Sequence, residues 1–258
     1  MGNLDLSIVI VTWNSAPYIV DCIRSITISA QDYRFEIILV DNNSGDNTIA
    51  LVKRCFPTVR IFPQRTNLGF GQANNVGISD AIGTFILLLN PDTLVNKQAI
   101  TTMYTFLEGQ TEVGAVGPEQ LTKKGEIIFT ASRLTLRGLI EYSIEKTHQF
   151  FTGKQIIFFK APYQVSHVNL GCVMTKRALW NQGVFFDQKL FIYGEEVDLF
   201  SKIRGLGWKV YFLRNCTIYH FREKSISMTH KKFWFAFDSY SYLLLRKIKE
   251  LFRTILTR

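Results

Sequence analysis

At 258 residues and 29.7 kDa the chain is long enough for one large α/β domain with its own core. Apolar residues make up 47% and charged residues 20%, which excludes a disordered chain, and the longest apolar runs (8–11, 37–40 and 85–89) are far below the ~18 residues of a membrane span. The net charge of +9 is uneven, with seven Lys/Arg against two Asp/Glu over residues 228–258, which points to an anionic surface as partner.

A strand is predicted over residues 6–11, a helix over 18–30, and strands over 35–40 and 59–62. A helix over 74–82 and a strand over 85–89, ending at Asn90-Pro91, complete the first half. Short apolar runs alternating with amphipathic helices indicate a mostly parallel sheet buried on both faces. Residues 130–160 are basic and aromatic without a clean period and read as loops with a helix near 138–147. A strand over 168–175, a helix over 196–205 and a strand over 209–213 follow. The tail sets Leu244, Ile248, Leu251 and Ile255 on one helical face, with Arg246, Lys247, Lys249 and Arg253 around it. Residues 1–225 are therefore expected to form the main domain and 226–258 a basic helical tail. No secretory signal opens the chain, and Cys22, Cys55, Cys172 and Cys216 show no metal-ligand spacing. The expectation is a cytoplasmic protein with reduced cysteines, neither exported nor spanning.

In such a sheet ligands bind beyond the carboxyl ends of the strands. The first strand runs into Thr12-Trp13-Asn14 and the second into Asp41-Asn42-Asn43-Ser44-Gly45-Asp46. Each cluster alone is an ordinary turn; at adjacent strand ends, Asp41 could accept from the N3–H of a pyrimidine, with Asn or Thr fixing its carbonyls. The run from Asn67 to Asn75 holds Gly69 and Gly71, but has Asn74 where a dinucleotide fingerprint needs its third glycine, and it follows the third strand. A nicotinamide-dependent oxidoreductase is thereby disfavoured. Asp92, in Asn90-Pro91-Asp92-Thr93, is either a turn residue or a ligand for a hard cation that also takes diphosphate oxygens. Glu195, Glu196 and Asp198 are either an acidic helix N-terminus or a source of a general base, one pKa being raised by like charge and burial. His220 is either structural or, with Asp92, part of a metal shell, and Arg222 and Lys224 could meet diphosphate oxygens.

In this order, SIVIVTWN, ILVDNNSGD, NLGFGQANNVGI, LLLNPDT, VNLGCVMTKRAL, FDQKLFIYGEEVDL and IYHFREKS resemble family 2 glycosyltransferases of the GT-A fold, most closely their bacterial rhamnosyltransferase-like branch. The resemblance covers residues 6–225. It implies nucleotide-sugar contacts by Thr12, Trp13, Asn14, Asp41 and Asn43, a donor-side loop with Asn67, Gly69 and Asn74, and a D-x-D place filled by Asn90 and Asp92. It implies Asp92 and His220 as ligands of Mn²⁺ or Mg²⁺, Glu196 as the catalytic base where the family carries Asp, and Glu195 and Asn169 on the acceptor side. Asn90 in place of the first acid removes one charge from the metal site. The implied reaction is a single inverting displacement. Rhamnose from dTDP-rhamnose would pass to a cell-surface polysaccharide or polyprenyl-diphosphate-linked glycan precursor. A UDP-hexose or UDP-N-acetylhexosamine donor stays open, as does a non-catalytic nucleotide-sugar-binding or membrane-scaffold protein. The Q-x-x-R-W motif and membrane helices of processive synthases are absent from the sequence. The tail either docks on the domain or, with Phe233, Trp234 and Phe235, lies at the inner face of the membrane. No nucleic-acid partner is expected, and a homo-oligomer stays open.

Overall fold

The computed structural model describes residues 4–128, 131–132, 162–191, 194–221, 241–243 and 246. The chain runs β1 (Leu6–Thr12), α1 (Ile19–Ser29), β2 (Phe35–Asp41), α2 (Thr48–Cys55), β3 (Arg60–Pro63), α3 (Phe70–Asp80), β4 (Phe85–Leu89), β5 (Thr93–Leu94), α4 (Lys97–Glu108) and β6 (Val113–Leu121). Short strands β7 (Ile127–Ile128), β8 (Ala131–Ser132), β9 (Tyr163–Gln164) and β10 (His167–Val168) lead to β11 (Cys172–Lys176), α5 (Arg177–Asn181), α6 (Glu195–Gly205) and β12 (Lys209–His220).

Along the sheet the order is β3-β2-β1-β4-β11-β6-β12-β5. The β3-β2-β1-β4 half is parallel. β11 runs antiparallel to both β4 and β6, and β12 lies parallel to β6. Side chains alternate across the sheet. Leu6, Ile8 and Ile10 of β1 and Leu87 and Leu89 of β4 face one core with Ile23, Val52 and Met103 from α1, α2 and α4. Val9, Ile38, Ile86 and Leu88 face the other with Ala73, Leu179 and Phe200 from α3, α5 and α6. Burial on both faces is what turns these strands into continuous apolar runs.

Several elements differ from expectation. α3 begins at Phe70, four residues before the predicted start, and opens at Gly69 (φ +81°). The predicted strand over 168–175 is broken into β10 and β11, and Asn169–Gly171 between them turns toward the sheet's ligand-binding end. β12 continues seven residues past its predicted end, through a register shift between Leu213 and Thr217, and so carries His220 on its last residue. α2, α4, β5 and β6 were not anticipated. The expected helix near 138–147, the helical face of Leu244, Ile248, Leu251 and Ile255, the aromatic group Phe233, Trp234 and Phe235, and the cations Arg222, Lys224, Lys247, Lys249 and Arg253 lie outside the described residues. Among the described residues, no helix is long and apolar enough to cross a membrane.

Candidate active site

The carboxyl ends of β1, β2 and β4 open onto a cavity of about 510 Å³. Trp13, Asn67, Gly69, Asn90, Asp92, Asn169, Glu195, Glu196 and His220 all line it. Thr12, Asn14, Asp41, Asn43 and Asn74 are not among its lining residues.

Behind the wall, the loops after β1 and β2 are tied together. Asp41 is 1% exposed, and its carboxylate accepts from Thr12 Oγ1 (2.8 Å), Ser44 Oγ (2.6 Å) and the Ser44 amide (2.8 Å). The Asn14 amide donates to Ser44 Oγ, and the Gly45 amide to Asn14 Oδ1, each at 2.8 Å. Asn14 and Asn43 have positive φ (52° and 62°), a backbone state that asparagine tolerates better than most side chains. Asn42, the neighbour that does line the cavity, donates to the Gly69 carbonyl (3.0 Å) and accepts from the Leu68 amide (3.3 Å). A Cβ on Gly69 would meet the Phe191 carbonyl at 2.6 Å, so that glycine is what lets the donor-side loop touch the segment before α6. Asn74 Nδ2 donates to the Phe70 carbonyl (2.9 Å) within α3.

On the opposite side of β4, His220 is 4% exposed. Its Nε2 lies 3.3 Å from both Asp92 Oδ1 and Asn90 Nδ2, and its Nδ1 lies 2.8 Å from Gln120 Oε1. The direction of the last bond follows from Gln120 Nε2 donating to the Asn169 carbonyl at 3.4 Å. A carbonyl only accepts, so Gln120 turns its oxygen to His220, which must donate from Nδ1. Nε2 therefore faces Asp92 with a lone pair unless a second proton is bound. That lone pair accepts from Asn90 Nδ2 at 3.3 Å, while Asp92 Oδ1, equally near, can offer it no hydrogen and so leaves two acceptors side by side. That spacing also matches the ~3 Å edge joining two donors at about 2.1 Å from one octahedral cation. Asp92 and His220 thus fit a divalent metal as a pair; among the described residues no group of three His, Cys, Asp or Glu does so. Gly171 makes room for the ring, since a Cβ there would meet His220 Cε1 at 2.5 Å.

The third wall is the first turn of α6, entered through Gly194 at φ +85°. Burial pushes the Glu195 carboxyl up to about 7, with a further push from Glu196 beside it and a partial offset from its own backbone amide. Glu195 Oε2 is buried with no hydrogen-bond partner among the described residues. Asp198, also buried, is paired with Lys202 (2.8 Å) and Arg246. Asn42, Gln120, Gly171 and Phe191 were not singled out from the sequence. Asn42 sat inside a recognised turn cluster, whereas Gln120 carries no local signal at all.

The glycosyl transferase family 2 model matches residues 7–181. N-acetylglucosaminyl-diphospho-decaprenol L-rhamnosyltransferase of Mycobacterium tuberculosis (strain ATCC 25618 / H37Rv) is 23% identical over 257 residues, covering 93% of this chain and 83% of that relative. Staphylococcus aureus TarS 1-349 in complex with UDP-GlcNAc superimposes with a TM-score of 0.62 at 19% identity, over 90% of this chain and 64% of that one. GalNAc-T7 with UDP, GalNAc and Mn²⁺ gives a TM-score of 0.65 at 19% identity, over 85% and 43%. The sheet is thus that of the GT-A fold, and with a family model spanning over half its length the chain belongs to glycosyl transferase family 2 and is a glycosyltransferase.

Proposed function

We propose that this glycosyltransferase moves a single sugar, with inversion, from a nucleotide diphosphate donor to a lipid-linked glycan precursor, and that the donor is dTDP-rhamnose. One observation carries the reading: Asn90, Asp92 and His220 share a cavity with Glu195 and Glu196. The named activity of the mycobacterial relative supports both the sugar and the type of acceptor. A UDP-linked hexose or N-acetylhexosamine is the second reading, favoured by the UDP and UDP-GlcNAc in the two structural neighbours.

In this reading Trp13, 52% exposed at the cavity, offers its ring to the base. Asn42 and the loop of Asn67 and Gly69 supply polar groups on the donor side. Thr12, Asn14, Asp41, Asn43 and Asn74 act from behind by holding those loops in place. Asp92 and His220 would hold Mn²⁺ or Mg²⁺, whose charge would stabilise the departing diphosphate. Glu196 accepts the acceptor hydroxyl's proton as that oxygen attacks the anomeric carbon and the diphosphate leaves with its bonding pair. Glu195 is the alternative base, favoured by its buried oxygen, which has no partner among the described residues, and its carboxyl near 7. Asn169 and Phe191 face the acceptor. The tail (226–258) meets anionic headgroups at the inner membrane face, which liposome co-sedimentation of the full chain with Lys247, Lys249 and Arg253 changed to Glu would check.

A thermal-shift screen across dTDP-rhamnose and UDP-sugars, with and without Mn²⁺, tests the donor. Absence of a shift with every sugar nucleotide would remove the donor reading. Glu196→Gln should then lower turnover by ~10²–10⁴-fold while the donor shift survives. If Glu195→Gln is the silent enzyme and Glu196→Gln the active one, the base is Glu195.

A further inference from the structure

The stretch between Asp187 and Asp198 carries Phe191, Glu195 and Glu196 to the cavity, and a carboxylate stands at each end of it. Both carboxylates are held by one guanidinium from far along the chain. Arg246 Nη1 donates to Asp187 Oδ2 at 3.1 Å, and Arg246 Nη2 donates to Asp198 Oδ1. Tyr242 Oη adds a second bond to Asp187 Oδ2 at 2.8 Å, and the Lys189 amide donates to Asp187 Oδ1 at 3.0 Å. The Asp198 side chain is fully buried, and its other oxygen meets Lys202 Nζ at 2.8 Å. Burial pushes the Asp187 carboxyl up, but these donors and the charges of Lys202 and Arg246 leave it below the usual carboxylate range.

The arrangement asks for arginine specifically. A planar fork presents separate N–H groups to two carboxylates in fixed directions, whereas an ammonium is a single point charge on a flexible stem. Lys202 already gives Asp198 a counter-charge from within α6, so neutralisation alone does not require a residue from the tail. What Arg246 adds is a link between Asp187 and Asp198, and hence a fixed span for the segment between them.

We propose that Arg246, seconded by Tyr242, is a positioning residue for transfer: it clasps Asp187 to Asp198 and so sets Phe191 and the Glu195–Glu196 pair at the cavity. This rests on the acid pair serving as base in the proposed reaction. Among the described residues Trp13, Asp92 and His220 make no hydrogen bond or ion pair with either carboxylate, and the donor side is reached only through Phe191, whose carbonyl lies against Gly69 and Phe70, so the clasp acts chiefly on the acceptor step.

The experiment compares Arg246→Ala, Arg246→Lys and Asp187→Asn with the wild-type full chain. Misplacement of a reacting group by about 1 Å costs ~10²-fold, so Arg246→Ala should lower kcat by roughly 10–100-fold with donor KM within about twofold. Arg246→Lys keeps a charge beside Asp198 but cannot span both acids. It should hold its Tm near wild type and still lose most of that kcat, a split that a merely stabilising ion pair would not produce. Asp187→Asn leaves the Arg246–Asp198 contact intact and covers the case in which Arg246→Ala fails to fold. Hydrogen exchange of amides 188–198 should speed up in each variant, and this readout needs no substrate. If the wild-type chain turns over no sugar nucleotide, the proposed function falls while exchange still judges the clasp. Unchanged exchange across 188–198, or wild-type kcat in Arg246→Lys, overturns the clasp.

Discussion

Glu195 loses water on entering the first turn of α6 without gaining a side-chain donor among the described residues, and Glu196 adds a like charge beside it, so its neutral form is favoured until the pH nears 7. The consequence for stability has a definite sign. Its folded pKa lies above the unfolded value of about 4.3, so the folded state is favoured below that value and loses this contribution as pH rises through 7. Glutamine does not titrate. Glu195→Gln should therefore be more stable than wild type at pH 8, by on the order of 3 kcal/mol from the size of the shift, with the gap closing below pH ~4.5. Urea melts at several pH values check this, and a gap independent of pH would refute it. Gln120 works through another residue: by accepting from Nδ1 it turns the Nε2 lone pair of His220 toward Asp92. Gln120→Leu should weaken Mn²⁺ binding by ~10–100-fold, the usual effect of losing such an outer partner, read directly by calorimetry or by the Mn²⁺ spin signal.

At the scale of elements, close approach decides how α3 delivers the donor-side loop. A Cβ on Gly77 would come within 2.4 Å of Val9 Cγ1, so α3 sits nearer the sheet than any side chain there would allow. Gly77→Ala should cost about 1–3 kcal/mol through overpacking, despite alanine's better helix propensity, with Val9→Ala in the same chain restoring part of it. The same close packing explains which elements were legible. β1, β2 and β4 announce themselves as apolar runs because both their faces are covered. β6 does not, because Gly114 is pressed by Leu179 and Trp208, Gly117 by Val168, and Pro118 follows at once. A strand that must admit large neighbours is written in residues that read as a turn. α2 buries only Thr48 and Val52, too little for a periodic stripe. For α4 the signal was present and not taken up: Asn96 caps it through the Ala99 amide, and Ala99, Ile100, Met103 and Leu107 form its buried face. Candidate residues at strand ends were readable because the topology puts ligands there. Gln120 was not, because its partnership with His220 arises from the pairing of β6 with β12, a hundred residues apart.

Across the whole molecule, the parallel half of the sheet and the half built from β11, β6, β12 and β5 meet at the cavity, and each contributes one of the two metal-ligand candidates. Asp92 follows β4, the last strand of the parallel half, while His220 ends β12. Phe221 returns from β12 to donate its amide to the Asp92 carbonyl at 2.9 Å, which ties the two candidates together through the backbone. A cation held by both, as proposed above, would join the halves by contacts that exist only in the folded chain, and a diphosphate bound with it would add to them. Binding should then stabilise the fold as a whole, and metal and nucleotide should do so synergistically. With free ligand at about 100 times its Kd the gain is ~2.7 kcal/mol. For a chain of this size that corresponds to a rise in Tm of roughly 5–10 °C. Mn²⁺ alone and nucleoside diphosphate alone should each give less than half of the joint shift. Asp92→Ala should abolish the synergy while leaving the unliganded Tm within a few degrees, because the backbone bond from Phe221 survives and, among the described residues, the carboxylate meets only His220, at 3.3 Å. A joint shift in Asp92→Ala equal to that of wild type would mean that the diphosphate is held without a metal at this position, and chelation of the wild-type protein would then leave its nucleotide shift unchanged as well.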